Sequence, residues 1–117
     1  MEKEKKDIDI NSVAMQVILH AGDGRSKVDE ALDAMAKADF DLAEKLLEEA
    51  EKEIVRAHVA QTEAIQAQVS GENIEYSLLF THAQDTVMTI NTELRMARKM
   101  MPIFRMLNEK AERKYNR

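Results

Sequence analysis

A chain of 117 residues with 3 Gly, 1 Pro and 4% aromatics suits one domain and argues against a sheet protein, which needs turn residues and aromatic or β-branched strands. The absence of cysteine excludes a disulfide, a thiolate zinc site and a cysteine nucleophile, and it fits a cytoplasmic location. A formal net charge of −5 speaks against nucleic-acid binding, and no apolar run approaches the roughly 20 residues of a membrane helix.

Residues 1–9 are mostly charged and read as a mobile tail. No apolar segment follows them, so they are not a secretory signal. Residues 10–117 form the domain. From Ile10 the spacing is helical: Ile10, Ala14, Val17, Ile18 and Ala21 share one face. Gly22 and Gly24 weaken the pattern, each costing about 1 kcal/mol in a helix. Val28, Ala31, Leu32 and Met35 resume it, and the spacing leaves open whether the helix breaks at Gly22.

Asp39 is placed to cap a second helix. Its stripe is Ala43, Leu46, Leu47, Ala50, Ile54, Ala57, Ala64 and Ile65. Ser70-Gly71 ends it, since glycine is common just past a helix. Asn73 can cap a third helix that runs toward Lys114. Pro102 should kink that helix or end its regular part, because its ring clashes with the Arg98 carbonyl. Short connections between three helices imply an all-α, antiparallel three-helix bundle.

The third helix carries two apolar arcs at about 100° per residue. Leu79, Ala83, Val87, Ile90, Leu94, Ala97 and Met101 form the core arc. Leu78, Met96 and Ile103 form a second, with Asp85 and Thr89 inside it and His82 on its edge. One chain needs only one arc, so the second predicts contact with another subunit. Scattered exposed apolar residues are the plainer explanation. Charge is also uneven. Residues 1–92 hold 9 Lys+Arg and 19 Asp+Glu; residues 93–117 hold 8 and 3. Basic residues complement the dipole at a helix C-terminus, with a membrane surface or acidic partner as the alternative.

His82 and Asp85 lie one turn apart on one face. An imidazole can carry a phosphoryl group near neutral pH, and a carboxylate nearby can orient a partner or hold a cation. His20 and His58 read as structural. No HExxH-type spacing supports zinc.

His82-Ala83-Gln84-Asp85 with Met88, after Leu78-Leu79, resembles the active-site signature of the lactose/cellobiose-type IIA component of the bacterial sugar phosphotransferase system. Ile18-Leu19-His20-Ala21-Gly22 with Arg25-Ser26 resembles the family's first helix. Ala57-His58 with Gln61-Thr62, Ile65-Gln66 and Ser70-Gly71 resembles its second. The resemblance covers roughly residues 10–92. Thr86 stands where many members carry a second histidine, Gly24 where alanine is more usual, and Arg95 to Arg117 lie outside the pattern.

The resemblance implies a homotrimer forming a nine-helix assembly. It implies that His82 accepts a phosphoryl group from the phosphocarrier HPr and passes it to a cysteine of a IIB component. IIB then phosphorylates a β-linked disaccharide, of the cellobiose, chitobiose or lactose class, entering through the membrane component IIC. It implies that three copies of Asp85 meet at the trimer axis around a divalent cation, usually magnesium. The alternative is a non-catalytic or regulatory interaction protein of the same fold.

Overall fold

A computed structural model describes residues 9–71 and 75–115. Helix α1 spans Ile10–Ala36, α2 Phe40–Val69 and α3 Leu78–Tyr115, with no strand among the described residues. The tail expected over residues 1–9 lies outside them except for Asp9, which caps α1. Asp9 Oδ1 accepts from the backbone N–H of Asn11 at 3.1 Å and of Ser12 at 3.3 Å. The Ser12 hydroxyl donates to the other oxygen, and together these bonds hold the carboxyl below its ordinary range.

Helix α1 runs through both glycines. Gly22 is exposed, whereas Gly24 is buried against α2. A Cβ built on Gly24 would sit 2.9 Å from Ile54 Cγ1 and 3.4 Å from the Ala50 carbonyl oxygen. The missing side chain at residue 24 is therefore what lets the two helix backbones approach.

The α1–α2 turn is a Schellman motif. The N–H of Asp39 donates to the Ala34 carbonyl and that of Ala38 to the Met35 carbonyl. Ala38 takes φ +60°, a left-handed position that the sequence gives to alanine, not glycine. Asp39 then caps α2 as its position predicts, accepting from the Leu42 N–H at 3.2 Å. Helix α2 ends at Val69, with Ser70 as C-cap and Gly71 at φ +85°.

Helix α3 differs from expectation at its start. Its first turn is capped by Ser77, whose Oγ accepts from the Phe80 N–H at 3.1 Å. Asn73, the expected cap, lies outside the described residues. The Ser77 hydroxyl also donates to Asn11 Oδ1 at 2.6 Å, tying the start of α3 to the start of α1. Helix α3 also does not end at Pro102 but runs on to Tyr115. Pro102 and Arg98 are both exposed, so the Arg98 carbonyl that loses its helical donor is open to water.

Side-chain pairs fix the directions of the helices. Lys27 meets Glu49 and His20 meets Glu53, so α1 and α2 run antiparallel. Asn11 meets Ser77 and Arg25 meets Glu93, so α1 and α3 run parallel. The up-down-up bundle is therefore as the connections predict. Val17, Val28 and Ile90 are the largest side chains with almost no exposure. Burying each stabilises the bundle by about 1.5–3 kcal/mol. The predicted α2 stripe is buried, with Ile65 at its margin; Phe80 joins the core of α3, and Leu79 and Met101 pack at its edge.

Candidate functional site

The second arc of α3 is left bare by the single chain. Leu78 is 72%, Met96 56% and Ile103 51% exposed, and Met88, further round the same outer side, is 65% exposed. His82 and Asp85 are exposed among them. No hydrogen bond or ion pair among the described residues joins the two side chains or engages either one. The Asp85 carboxylate is therefore not a local partner that orients His82, and the imidazole nitrogens are unencumbered.

What does hold this stretch is a run of threonines. Thr86 Oγ1 donates to the His82 carbonyl at 2.8 Å, and Thr89 Oγ1 donates to the Asp85 carbonyl at 2.8 Å. Thr81 and Thr92 make the same i−4 bond to Ser77 and Met88. Such bonds spend the hydroxyls on the helix itself. Thr86, at the position where a second imidazole is common in the resembled pattern, thus turns its hydroxyl to the His82 carbonyl and away from the surface. The spacing of four between His82 and Thr86 carries that signal, although only the structure shows the hydroxyl turned inward.

The other two histidines differ from each other. His20 Nδ1 lies 3.0 Å from Glu53 Oε2, and Glu53 also accepts from Arg56, so His20 is part of the α1–α2 contact as expected. His58 is exposed and lines a groove of about 320 Å³ between α2 and α3 with Ile54, Gln61, Val87, Met88 and Asn91. It makes no hydrogen bond among the described residues, so any structural role it has rests on packing in that groove. Gln61 was legible as part of the second-helix pattern, but its burial was not. It sits within the α2 stripe, 9% exposed, and its Oε1 has no protein partner. Its spacing of four from Ala57 and three from Ala64 was the available signal.

Among the described residues, no group of three His, Cys, Asp or Glu of one chain converges to hold a metal ion. A carboxylate ring at Asp85 therefore needs more than one copy. The donor chemistry fits: carboxylate oxygens suit a hard divalent cation, and this carboxylate is free of other bonds.

An exposed imidazole on the outer side of a rigid helix suits a protein that hands a group to another protein, not one that encloses a small substrate. Comparison with known proteins agrees. The family described as PTS system, Lactose/Cellobiose specific IIA subunit matches residues 12–105. The lichenan-specific phosphotransferase enzyme IIA component of Bacillus subtilis is 38% identical over 101 residues, covering 86% of this chain and 92% of that protein. The lactose-specific EIIA component of Staphylococcus epidermidis is 42% identical over 81 residues, covering 69% and 78%. The crystal structure of the cellobiose-specific enzyme IIA from Bacillus anthracis superposes with a TM-score of 0.82 at 32% identity, over 88% of this chain and 94% of that one.

The chain belongs to the lactose/cellobiose-specific IIA family of the phosphotransferase system, whose members are phosphotransfer proteins of sugar uptake. The match runs past Arg95 to residue 105, so the family pattern extends further along α3 than the motifs alone indicated. No helix of the described residues is long and apolar enough to cross a membrane.

Proposed function

We propose that His82 is the phosphoryl carrier of this protein, accepting from HPr and delivering to a cysteine of a IIB component. The observation that carries the reading is the exposed, unbonded His82 imidazole inside the family-matched part of α3. A neutral imidazole nitrogen attacks the phosphorus in line. The new N–P bond forms as the bond from phosphorus to the donor breaks. In the second step the IIB thiolate attacks, the P–S bond forms, and the N–P bond returns its electron pair to the imidazole. The protein's covalent part is the His82 nitrogen alone, and the rest of the catalysis is positioning and charge stabilisation. The helical turn around His82, which keeps the imidazole on the exposed side of α3, supplies the positioning. The donor and acceptor proteins supply the rest.

The same reading makes the protein a cytoplasmic homotrimer built on the bare arc of α3. Leu78, Met96 and Ile103 would be covered by two further copies, giving nine helices. Asp85 of each copy would then approach the axis, where a divalent cation such as magnesium would offset the repulsion of three carboxylates. That cation would serve the assembly; no step of the transfer is routed through it. The sugar delivered through IIC is a β-linked disaccharide of the cellobiose, chitobiose or lactose class, in line with relatives specific for lactose and cellobiose.

Phosphoenolpyruvate, enzyme I and HPr provide the test. The intact mass should rise by one phosphoryl group per chain, and His82→Ala should abolish the rise with the helical circular dichroism unchanged. Subsequent addition of a cognate IIB should remove the group. Phosphorylation that persists in His82→Ala moves the site to another residue. A trimer that takes no phosphate at all favours the non-catalytic alternative.

A further inference from the structure

Helix α3 outruns its partners. Its start is level with that of α1 through Asn11 and Ser77, and the Arg105 guanidinium lies 5.4 Å from the centroid of the Phe40 ring at the α1–α2 turn. Ten described residues of α3 follow Arg105, adding about 15 Å of helix at 1.5 Å per residue; Asn108, Glu109 and Glu112 on one side of it still face a groove with residues 38–41, which leaves the other side free. This projection also lies beyond the family match, which stops at residue 105. Met106 and Leu107 are 45% and 53% exposed, and every residue from Glu109 to Tyr115 is exposed.

The charge of the projection is opposite to that of the rest. Residues 105–117 hold 5 Lys+Arg against 2 Asp+Glu, while residues 1–104 hold 12 against 20. At about 100° per residue, Lys110, Arg113 and Lys114 share one arc with Met106 and Leu107, and Glu109 and Glu112 fall outside it. Two basic residues in the last turn would suffice to complement the helix dipole. The dipole does not explain why exposed apolar side chains are interleaved with the cations.

We propose that this projection docks the protein on an anionic lipid surface. Cationic side chains flanking an apolar arc suit the boundary between headgroups and acyl chains, where lysine stems lie along apolar surface and their ammonium groups stay at the phosphates. The acidic remainder of the chain is repelled by the same surface, so only this end approaches it. A further copy of the helix is the less suitable occupant. Lys110 and Lys114 continue the line of Met96 and Ile103, so a parallel assembly would bring like charges together there. In the proposed trimer that repulsion separates the three ends and leaves three such arcs at one end, which act together on a surface. Only this multiplication rests on the trimer reading; the single projection carries the attraction by itself.

Flotation of the full chain with vesicles tests the proposal. Binding is expected to phosphatidylcholine vesicles containing phosphatidylglycerol and not to phosphatidylcholine alone, and it should fade as salt screens the charges. The triple variant Lys110→Glu/Arg113→Glu/Lys114→Glu should bind at least about tenfold less, with helical content checked in the same preparation. The milder pair Lys110→Gln/Lys114→Gln should fall between. His82→Ala should float like the wild type, which separates this result from the fate of the relay. Failure to bind the anionic vesicles at low salt overturns the proposal, as does equal binding by the triple variant. Capture of an acidic protein without any lipid binding overturns it too.

Discussion

The two sides of α3 differ in what the single chain does with them. The inner side packs Ala83, Val87, Ile90, Leu94 and Ala97 to 4% exposure or less against α1 and α2. The outer side leaves Leu78, Met88, Met96 and Ile103 half exposed or more around His82 and Asp85. One chain's own folding specifies the first side. The second is left open by one chain, and in the proposed reading it is where other copies, or a protein that gives or takes a phosphoryl group, would come. Substitutions on the two sides should therefore separate stability from transfer.

The largest effect on stability is expected on the inner side. Ile90 has no exposure and lies at the centre of the bundle, so Ile90→Ala should cost about 2–5 kcal/mol through lost burial and a residual cavity. Denaturant titration reads that loss directly. The fraction that remains folded should still accept a phosphoryl group at the wild-type level. A loss well under 1 kcal/mol, or an acceptance defect in the folded fraction, would mean that the two sides are not separable.

On the outer side, Asp85→Leu probes the assembly. In the proposed trimer, chelation lowers the melting temperature of the wild type, because a cation bound only by the assembled form stabilises it by mass action. The substitution removes the ligands and the repelling charges together. The variant should stay trimeric, match or exceed the chelated wild type in stability, and ignore chelator. Sedimentation equilibrium and paired melting curves check both points. A monomeric wild type sinks the trimer reading, and a variant that still responds to chelator moves the cation elsewhere.

Much of this architecture was legible in the sequence, because it rests on periodicity and on local capping chemistry. The α2 stripe, the Asp39 cap and the Gly71 stop are each set by residues within a few positions of one another. The candidate imidazole was legible for another reason: His82 and Asp85 stand one turn apart inside His82-Ala83-Gln84-Asp85, a run that resembles the family's signature, whereas a lone histidine would have carried no such reading. What escaped depends on distant or conformational facts. Ser77 caps α3 while bonding to Asn11, 66 positions away. Ala38 occupies a left-handed position that composition would assign to glycine. The run of α3 toward Lys114 was legible, but which of the two outcomes at Pro102 would hold, a kink or an end to the regular helix, was not; the helix continues through an exposed Pro102 to Tyr115. Gln61 reads as polar by type, yet the bundle buries it among alanines.

Gly22 and Gly24 give the smallest and sharpest comparison. They lie two residues apart in α1, and the sequence treats them alike as helix-weakening positions. The structure does not. Nothing lies within 4 Å of a Cβ built at Gly22, so Gly22→Ala should add helix propensity with no clash, raising stability by about 0.5–1 kcal/mol. At Gly24 the same change gains the same propensity but drives a methyl to 2.9 Å from Ile54 Cγ1. Overpacking a close helix contact costs about 1–3 kcal/mol, so the net effect of Gly24→Ala should be a loss of up to about 2 kcal/mol. The methyl is blocked by a side chain, so relief should be available at residue 54. Ile54→Ala alone leaves a cavity, and the double variant Gly24→Ala/Ile54→Ala should be more stable than the sum of the two single changes predicts. Denaturation midpoints of the four proteins, with Gly22→Ala as the unobstructed control, decide the matter. Additivity at Gly24 and Ile54, or a gain from Gly24→Ala equal to that from Gly22→Ala, would show that the helices move apart at little cost and that the close approach at residue 24 is not a constraint on the bundle.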